Sequence, residues 1–117
     1  MFALIELGKF GKSDSMSRYT IEMNFAKARK QALQLENAAL KLERIATGSM
    51  EDVMNSISEN WKGENAGNYL QKTEKVRNDI FKVSKELKNT ARAVRKIAKL
   101  THDAEMNALE LALKRKV

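Results

Sequence analysis

The sequence predicts an all-α fold, a two-helix antiparallel hairpin expected to dimerise into a four-helix bundle. Three observations predict it. Proline is absent and glycine occurs five times in 117 residues, the last at Gly67. Turns and strands need both residues for punctuation, so their scarcity favours long helices. Apolar residues recur at alternating steps of three and four on both sides of the chain's centre, the period of a helix seam. Between the two stripes lies one strong turn signal, Asn60 to Gly67.

Residues 1–15 lack that period. Gly8, Gly11, Ser13, Asp14 and Ser15 break it, and the short apolar run Met1 to Leu7 is interrupted by Glu6. The stretch has no basic n-region and no small-x-small cleavage site, so it does not qualify as a secretory signal. It is assigned as a leader or unstructured extension. Met16 is a candidate start, and 16–117 forms a single domain.

The first helix is expected to begin near Thr20 as N-cap. Its stripe is Phe25, Ala28, Ala32, Leu35, Ala39, Leu42 and Ala46. A kink or short break is expected at Thr47-Gly48-Ser49, where Ser49 and Asp52 have capping-box spacing. The stripe resumes at Met50, Val53 or Met54, and Ile57, and ends on Trp61. Gly63 supplies the positive φ that stops a helix and reverses the chain, and Asn65 is placed to cap the second helix. That helix has about 48 residues, about 70 Å of rise. Its stripe runs Tyr69, Thr73, Val76, Ile80, Val83, Leu87, Thr90, Val94, Ile97, Thr101, Ala104, Ala108 and Leu111. Leu35, Leu42, Val76, Ile80, Val83 and Leu87 are expected to hold the pair together. Lys114, Arg115 and Lys116 suit the negative pole of the helix dipole.

Charge is uneven. The chain carries a net +7; residues 1–65 hold nine basic and nine acidic side chains, and residues 66–117 hold thirteen and six. Lys85, Arg92 and Lys99 are spaced by seven, as are Lys75, Lys82 and Lys96 with a gap at Asn89. Such a row serves as a solvated face or docks an acidic protein partner, where complementarity speeds association and selects partners. Phe81 is the one aromatic between Lys72 and Lys99, which argues against base stacking. A basic helical nucleic-acid-associated protein is the alternative reading.

Catalytic chemistry finds no foothold. There is no cysteine, and the single histidine, His102, is expected at the surface. One histidine without cysteine makes a poor transition-metal site. No nucleophile with a base, paired carboxylates or glycine-rich phosphate loop is recognisable. No enzyme, no cofactor and no metal are expected, and no apolar run approaches the roughly 20 residues of a membrane-spanning helix.

Trp61, Gly63, Ala66 and Tyr69 match W-x-G-x-x-A-x-x-[F/Y], and Trp61 lies near the middle of the 102 residues counted from Met16. In these features the chain resembles the WXG (ESAT-like) family of small type VII secretion proteins over 16 to about 110. The resemblance implies an antiparallel hairpin that pairs as a homo- or heterodimer with another hairpin, including an acidic LXG-type effector domain. It also implies export by the type VII machinery, or a targeting or chaperone role toward a larger LXG effector. The implied location is secreted or cell-surface by a leaderless route, with a cytoplasmic pool before export. The family's strict Y-x-x-x-[D/E] signal is absent, since Thr73 stands four residues after Tyr69. The looser hydrophobic-acidic pattern fits Met106, Glu110, Leu113 and Val117. The strongly basic charge departs from the acidic or neutral character common in the family.

Overall fold

A computed structural model describes residues 17–115. The assignments made for 1–15, for Met16 as a start, and for Lys116 and Val117 lie outside them. Helix α1 spans Arg18–Arg44, a π-helical turn Ile45–Ser49 continues it without a break, α2 spans Met50–Asn60, and α3 spans Glu64–Arg115. Among the described residues there is no strand.

The first helix starts three residues earlier than expected. Ser17, not Thr20, is its N-cap: the Ser17 hydroxyl accepts the Thr20 backbone N–H at 3.1 Å. That satisfies one of the orphan donors of the first turn. The break expected at Thr47-Gly48-Ser49 is instead a widened turn in which the Met50 N–H bonds the Ile45 carbonyl, five residues back. Ser49 is helical and caps nothing. The wide turn has a register consequence. Continued from Ala39, Leu42 and Ala46, the stripe would reach Ser49, Val53 and Ser56, all of which are exposed. One extra residue is absorbed in the turn, so Met50, Met54 and Ile57 face inward instead. This is what a π-bulge does to a helix face.

The described residues divide into two compact units, 35–89 and 17–34 with 90–115. In the first, the Arg77 Nε–H donates to the Ala46 carbonyl at 3.0 Å, and the Ser84 hydroxyl reaches the Ala39 carbonyl at 3.2 Å. As numbers rise on one stretch they fall on the other, so the stretches lie antiparallel. Ala39, Ala46, Ala66 and Ser84 are its buried residues. In the second unit Ala28 and Ala98 form the centre of a cluster, with Phe25 and Val94 packed on it. Ile21, Asn24, Ala32 and Ala91 are also buried there.

The first helix buries its predicted stripe. The second does so at alternate positions only. Thr73, Ile80, Leu87, Val94 and Thr101 turn inward as expected. The other half of the predicted seam does not: Tyr69, Val76, Val83, Ile97 and Leu111 are 44–55% exposed, and Thr90, Ala104 and Ala108 are also exposed. Their places are taken by residues one position on: Leu70, Arg77, Ser84, Ala91, Ala98 and Glu105. Val76 and Val83 therefore do not hold the pair as expected. At Ser84, Ala91 and Ala98 the reason is size: an alanine seam on α1 lets the helix backbones approach closely, and close approach favours small side chains opposite, whereas the larger Leu70, Arg77 and Glu105 are only partly buried. Burying a methyl-sized group contributes about 0.8 kcal/mol, against about 1.5–3 kcal/mol for a leucine or isoleucine. Among the described residues, seven of the eight buried hydrophobic ones are alanine, so this core is thin.

Candidate functional site

The turn that ends α2 brings the four motif residues together. The Trp61 N–H bonds the Ile57 carbonyl at 2.8 Å, and its backbone is then extended (φ −115°, ψ 130°). Gly63 comes next but one, at φ 104°, a conformation in which a Cβ would be strained. The helix restarts at Glu64, so Asn65 lies inside its first turn and does not cap it. Ala66 is buried. Trp61 and Tyr69 pack edge to face with ring centres 5.9 Å apart, a favourable geometry for aromatic quadrupoles. Both rings are about half exposed. Trp61 thus does not plug the end of a core; with Tyr69 it forms an aromatic pair open to solvent.

All six residues of the cationic row are exposed. Lys75, Lys82 and Lys85 belong to the 35–89 unit, and Arg92, Lys96 and Lys99 to the other. Lys99 also pairs with Asp103 at 3.2 Å, one helical turn on. The candidate export residues do not share one surface. Met106 is half-buried, whereas Glu110 and Leu113 are exposed, and Val117 lies outside the described residues.

Three polar nodes were not anticipated. Arg77 occupies a seam position, and besides the Ala46 carbonyl it meets Glu74 at 3.4 Å and Glu51 at 3.5 Å, with its guanidinium 5.6 Å from the Phe81 ring centre. Ser84 is fully buried and shares its single proton between the Ala39 carbonyl and the Glu43 carboxylate, the latter at 2.5 Å. Lys88 closes that node at 2.6 Å from Glu43, and Lys88 and Ser84 together hold the Glu43 carboxyl below its ordinary value. His102, expected as a surface side chain, instead bridges two helices: Nε2 lies 2.6 Å from Glu22 and Nδ1 3.1 Å from Asp103. Its ring lies 4.6 Å from that of Phe25. The Glu22 carboxylate, then Asp103, raises the imidazole above its ordinary value near 6.5. No sequence signal marked these nodes, because each depends on which residues the two helices set opposite one another.

No protein-family model, curated protein or solved structure matches the chain. Among the described residues no three His, Cys, Asp or Glu side chains group as a metal site, and no helix is long and apolar enough to cross a membrane. Among the described residues, the exposed surface includes the large apolar side chains of α3, the aromatic pair at the turn and the cationic row.

Proposed function

We propose that this chain is a small binding protein of a type VII secretion system, a helical hairpin that acts through partner helices and not as an enzyme. The observation that carries the binding reading is the mismatch between what is buried and what is left out. The seam is alanine, while Tyr69, Val76, Val83, Ile97 and Leu111 stand half exposed at multiples of seven residues along α3. A helix that turns Ile80, Leu87 and Val94 inward and still keeps a second set of large apolar residues outside is suited to a further helical partner. The type VII assignment rests on Trp61, Gly63, Ala66 and Tyr69, with Gly63 in the strained-for-others conformation and the two rings in contact. In this reading the hairpin pairs with another hairpin as a homo- or heterodimer, and leaves the cell or escorts a larger LXG-type effector to the exporter.

The test is co-expression with the products of neighbouring reading frames, then co-purification and mass measurement by light scattering. A defined complex with a protein carrying a helical N-terminal region is expected. A stable soluble monomer that captures none of them would overturn the reading.

A further inference from the structure

In the unit of residues 17–34 and 90–115, α1 and α3 line an open cleft of about 390 Å³, bounded by Ala26, Arg29, Lys30, Leu33 and Arg95. On α1 these residues stand three, four and seven apart, so they share one helix face. Leu33 is 51% exposed there. The cleft combines an apolar floor with three cations.

Its electrostatics differ from those one heptad away. Glu22 and His102 form an acid-base bridge across the two helices. Seven residues on from Glu22 is Arg29, and seven back from His102 is Arg95. The position that is a complementary pair at one level is two guanidiniums lining the same cleft at the next. The flanking sequence has the same sign: residues 23–34 carry Lys27, Arg29 and Lys30, residues 90–101 carry Arg92, Arg95, Lys96 and Lys99, and neither stretch contains Asp or Glu. Cations gathered along one cleft raise the local concentration of acidic ligands and select against basic ones.

We infer that the Arg29–Arg95 cleft is a docking site for an acidic amphipathic helix of a partner protein, which places an apolar side chain against Ala26 and Leu33 and carboxylates on Arg29, Lys30 and Arg95. The inference rests on the binding reading above and names the partner's chemistry. A protein helix is favoured over nucleic acid because no aromatic side chain lines the cleft for base stacking, and because its floor is apolar. Arginine suits the role, since its planar fork bonds carboxylates bidentately. The cleft volume, within the usual range of binding pockets of about 300–1,000 Å³, suits one large side chain and the groups beside it.

The probe is a fluorescein-labelled synthetic helix with leucine at heptad a and d positions and glutamate at e and g. Its binding to the full chain is measured by anisotropy at about 0.15 M salt. Duplex DNA and phosphatidylglycerol vesicles are run as parallel ligands. Arg29→Glu is expected to weaken peptide binding by about tenfold or more. Its melting temperature should stay close to wild type, because the contact it gives up is the exposed approach of the Arg29 guanidinium to the Phe25 ring at 5.6 Å; lost binding is thereby separated from lost fold. Leu33→Asp should weaken binding comparably, and the double change Lys75→Glu, Lys82→Glu in the other unit by less than about twofold. Equal weakening by Arg29→Glu and by the double change would overturn the proposal, as would tighter binding of DNA or vesicles than of peptide. The partner experiment separates the two levels. A partner that co-purifies undiminished with Arg29→Glu sinks the cleft and leaves the binding reading. Peptide binding abolished by Arg29→Glu, with no partner found for wild type, sinks the type VII reading and leaves the cleft.

Discussion

The two units solve the same problem with different chemistry. Both must hold two helix faces together across a thin core whose fully buried residues are mostly alanine. In the 35–89 unit the polar ties run to backbone: Arg77 to the Ala46 carbonyl at the π-turn and Ser84 to the Ala39 carbonyl. A guanidinium and a hydroxyl do not change charge near neutral pH, so these ties are constant. In the unit of residues 17–34 and 90–115, packing of Phe25 and Val94 on Ala28 and Ala98 is joined by a bridge through His102. That bridge is an ion pair only while the imidazole is protonated. One unit is pinned; the other is clasped by a group that titrates.

The largest effect that separates them should come from Arg77. Arg77→Met keeps the aliphatic stem against the seam and removes the donor to Ala46. The loss of a charged-donor hydrogen bond from a side chain 23% exposed is expected to cost about 2 kcal/mol, read as a shift in urea midpoint at unchanged slope. Hydrogen exchange should place the loss at amides 35–89 and spare those around Ala28 and Ala98. A loss below about 0.5 kcal/mol, or one spread evenly over both units, would show that the carbonyl tie is incidental.

Arg77 also shows where sequence reading stops. Helices, their order and the turn at Gly63 are legible from period and punctuation, and every stripe position of the first helix from Phe25 to Ala46 turns inward. The second helix defeats the same logic because its most hydrophobic ridge is not its buried one. A reading that maximises hydrophobicity chooses Tyr69, Val76, Val83 and Ile97 over Leu70, Arg77, Ser84, Ala91 and Ala98. Burial is decided by fit against the opposite alanines, a property of the pair. At Ile45–Ser49 the reading is half legible: the stripe resumes at Met50, Met54 and Ile57 as the spacing offers, with Val53 left outside, but that the chain widens at Gly48 to reach that register, and does not kink or break, is not written in the period. The turn motif was visible as residues; that Trp61 and Tyr69 would pair in the open was not. The six cations of the row were found exposed, but Arg29 and Lys30, which share a cleft with Arg95, belong to the half of the chain whose net charge is zero and drew no notice.

The second contrast is in pH. A histidine whose folded value is raised contributes stability that is full below its unfolded value near 6.5 and is lost as pH rises through the folded value. The groups facing it are Glu22 and Phe25 from α1 and Asp103 from α3, with the Glu105 carboxyl, raised by burial, feeling its charge. Asp103 and Glu43 have the opposite sign. Their carboxyls are lowered, so their contributions persist above the ordinary values of 3.8 and 4.5 and fade as pH falls through the folded values. Between pH 6 and 9 the His102 unit should therefore lose protection against hydrogen exchange, corrected for intrinsic rates, while residues 35–89 hold theirs. His102→Gln should abolish the difference. As His102 is the only histidine, its ring resonances titrate without ambiguity, and a midpoint at or below 6.5 would break the argument. The size of the effect is modest, since Glu22 and Asp103 are about half exposed and water screens them.

The smallest expected effect on stability falls on the residue most conspicuous in the sequence. Trp61 is 53% exposed, and its ring contact is with a Tyr69 that is equally open. An edge-to-face aromatic pair adds about 0.5–1.5 kcal/mol when well packed; with both rings in solvent, Trp61→Ala should cost less than about 1 kcal/mol. Gly63→Ala, by contrast, strains a backbone held at φ 104°, so the two halves of the motif should separate in a denaturation series. The asymmetry bears on function. A tryptophan that stabilises its own fold little, yet stands at the turn with an aromatic neighbour, is available to something else. If Trp61→Ala leaves the urea midpoint almost unmoved but reduces capture of the co-expressed partner, the ring belongs to the interface. A loss of about 3 kcal/mol or more, the cost of removing a buried aromatic, would return Trp61 to a structural role and leave the motif with no surface for a partner to read.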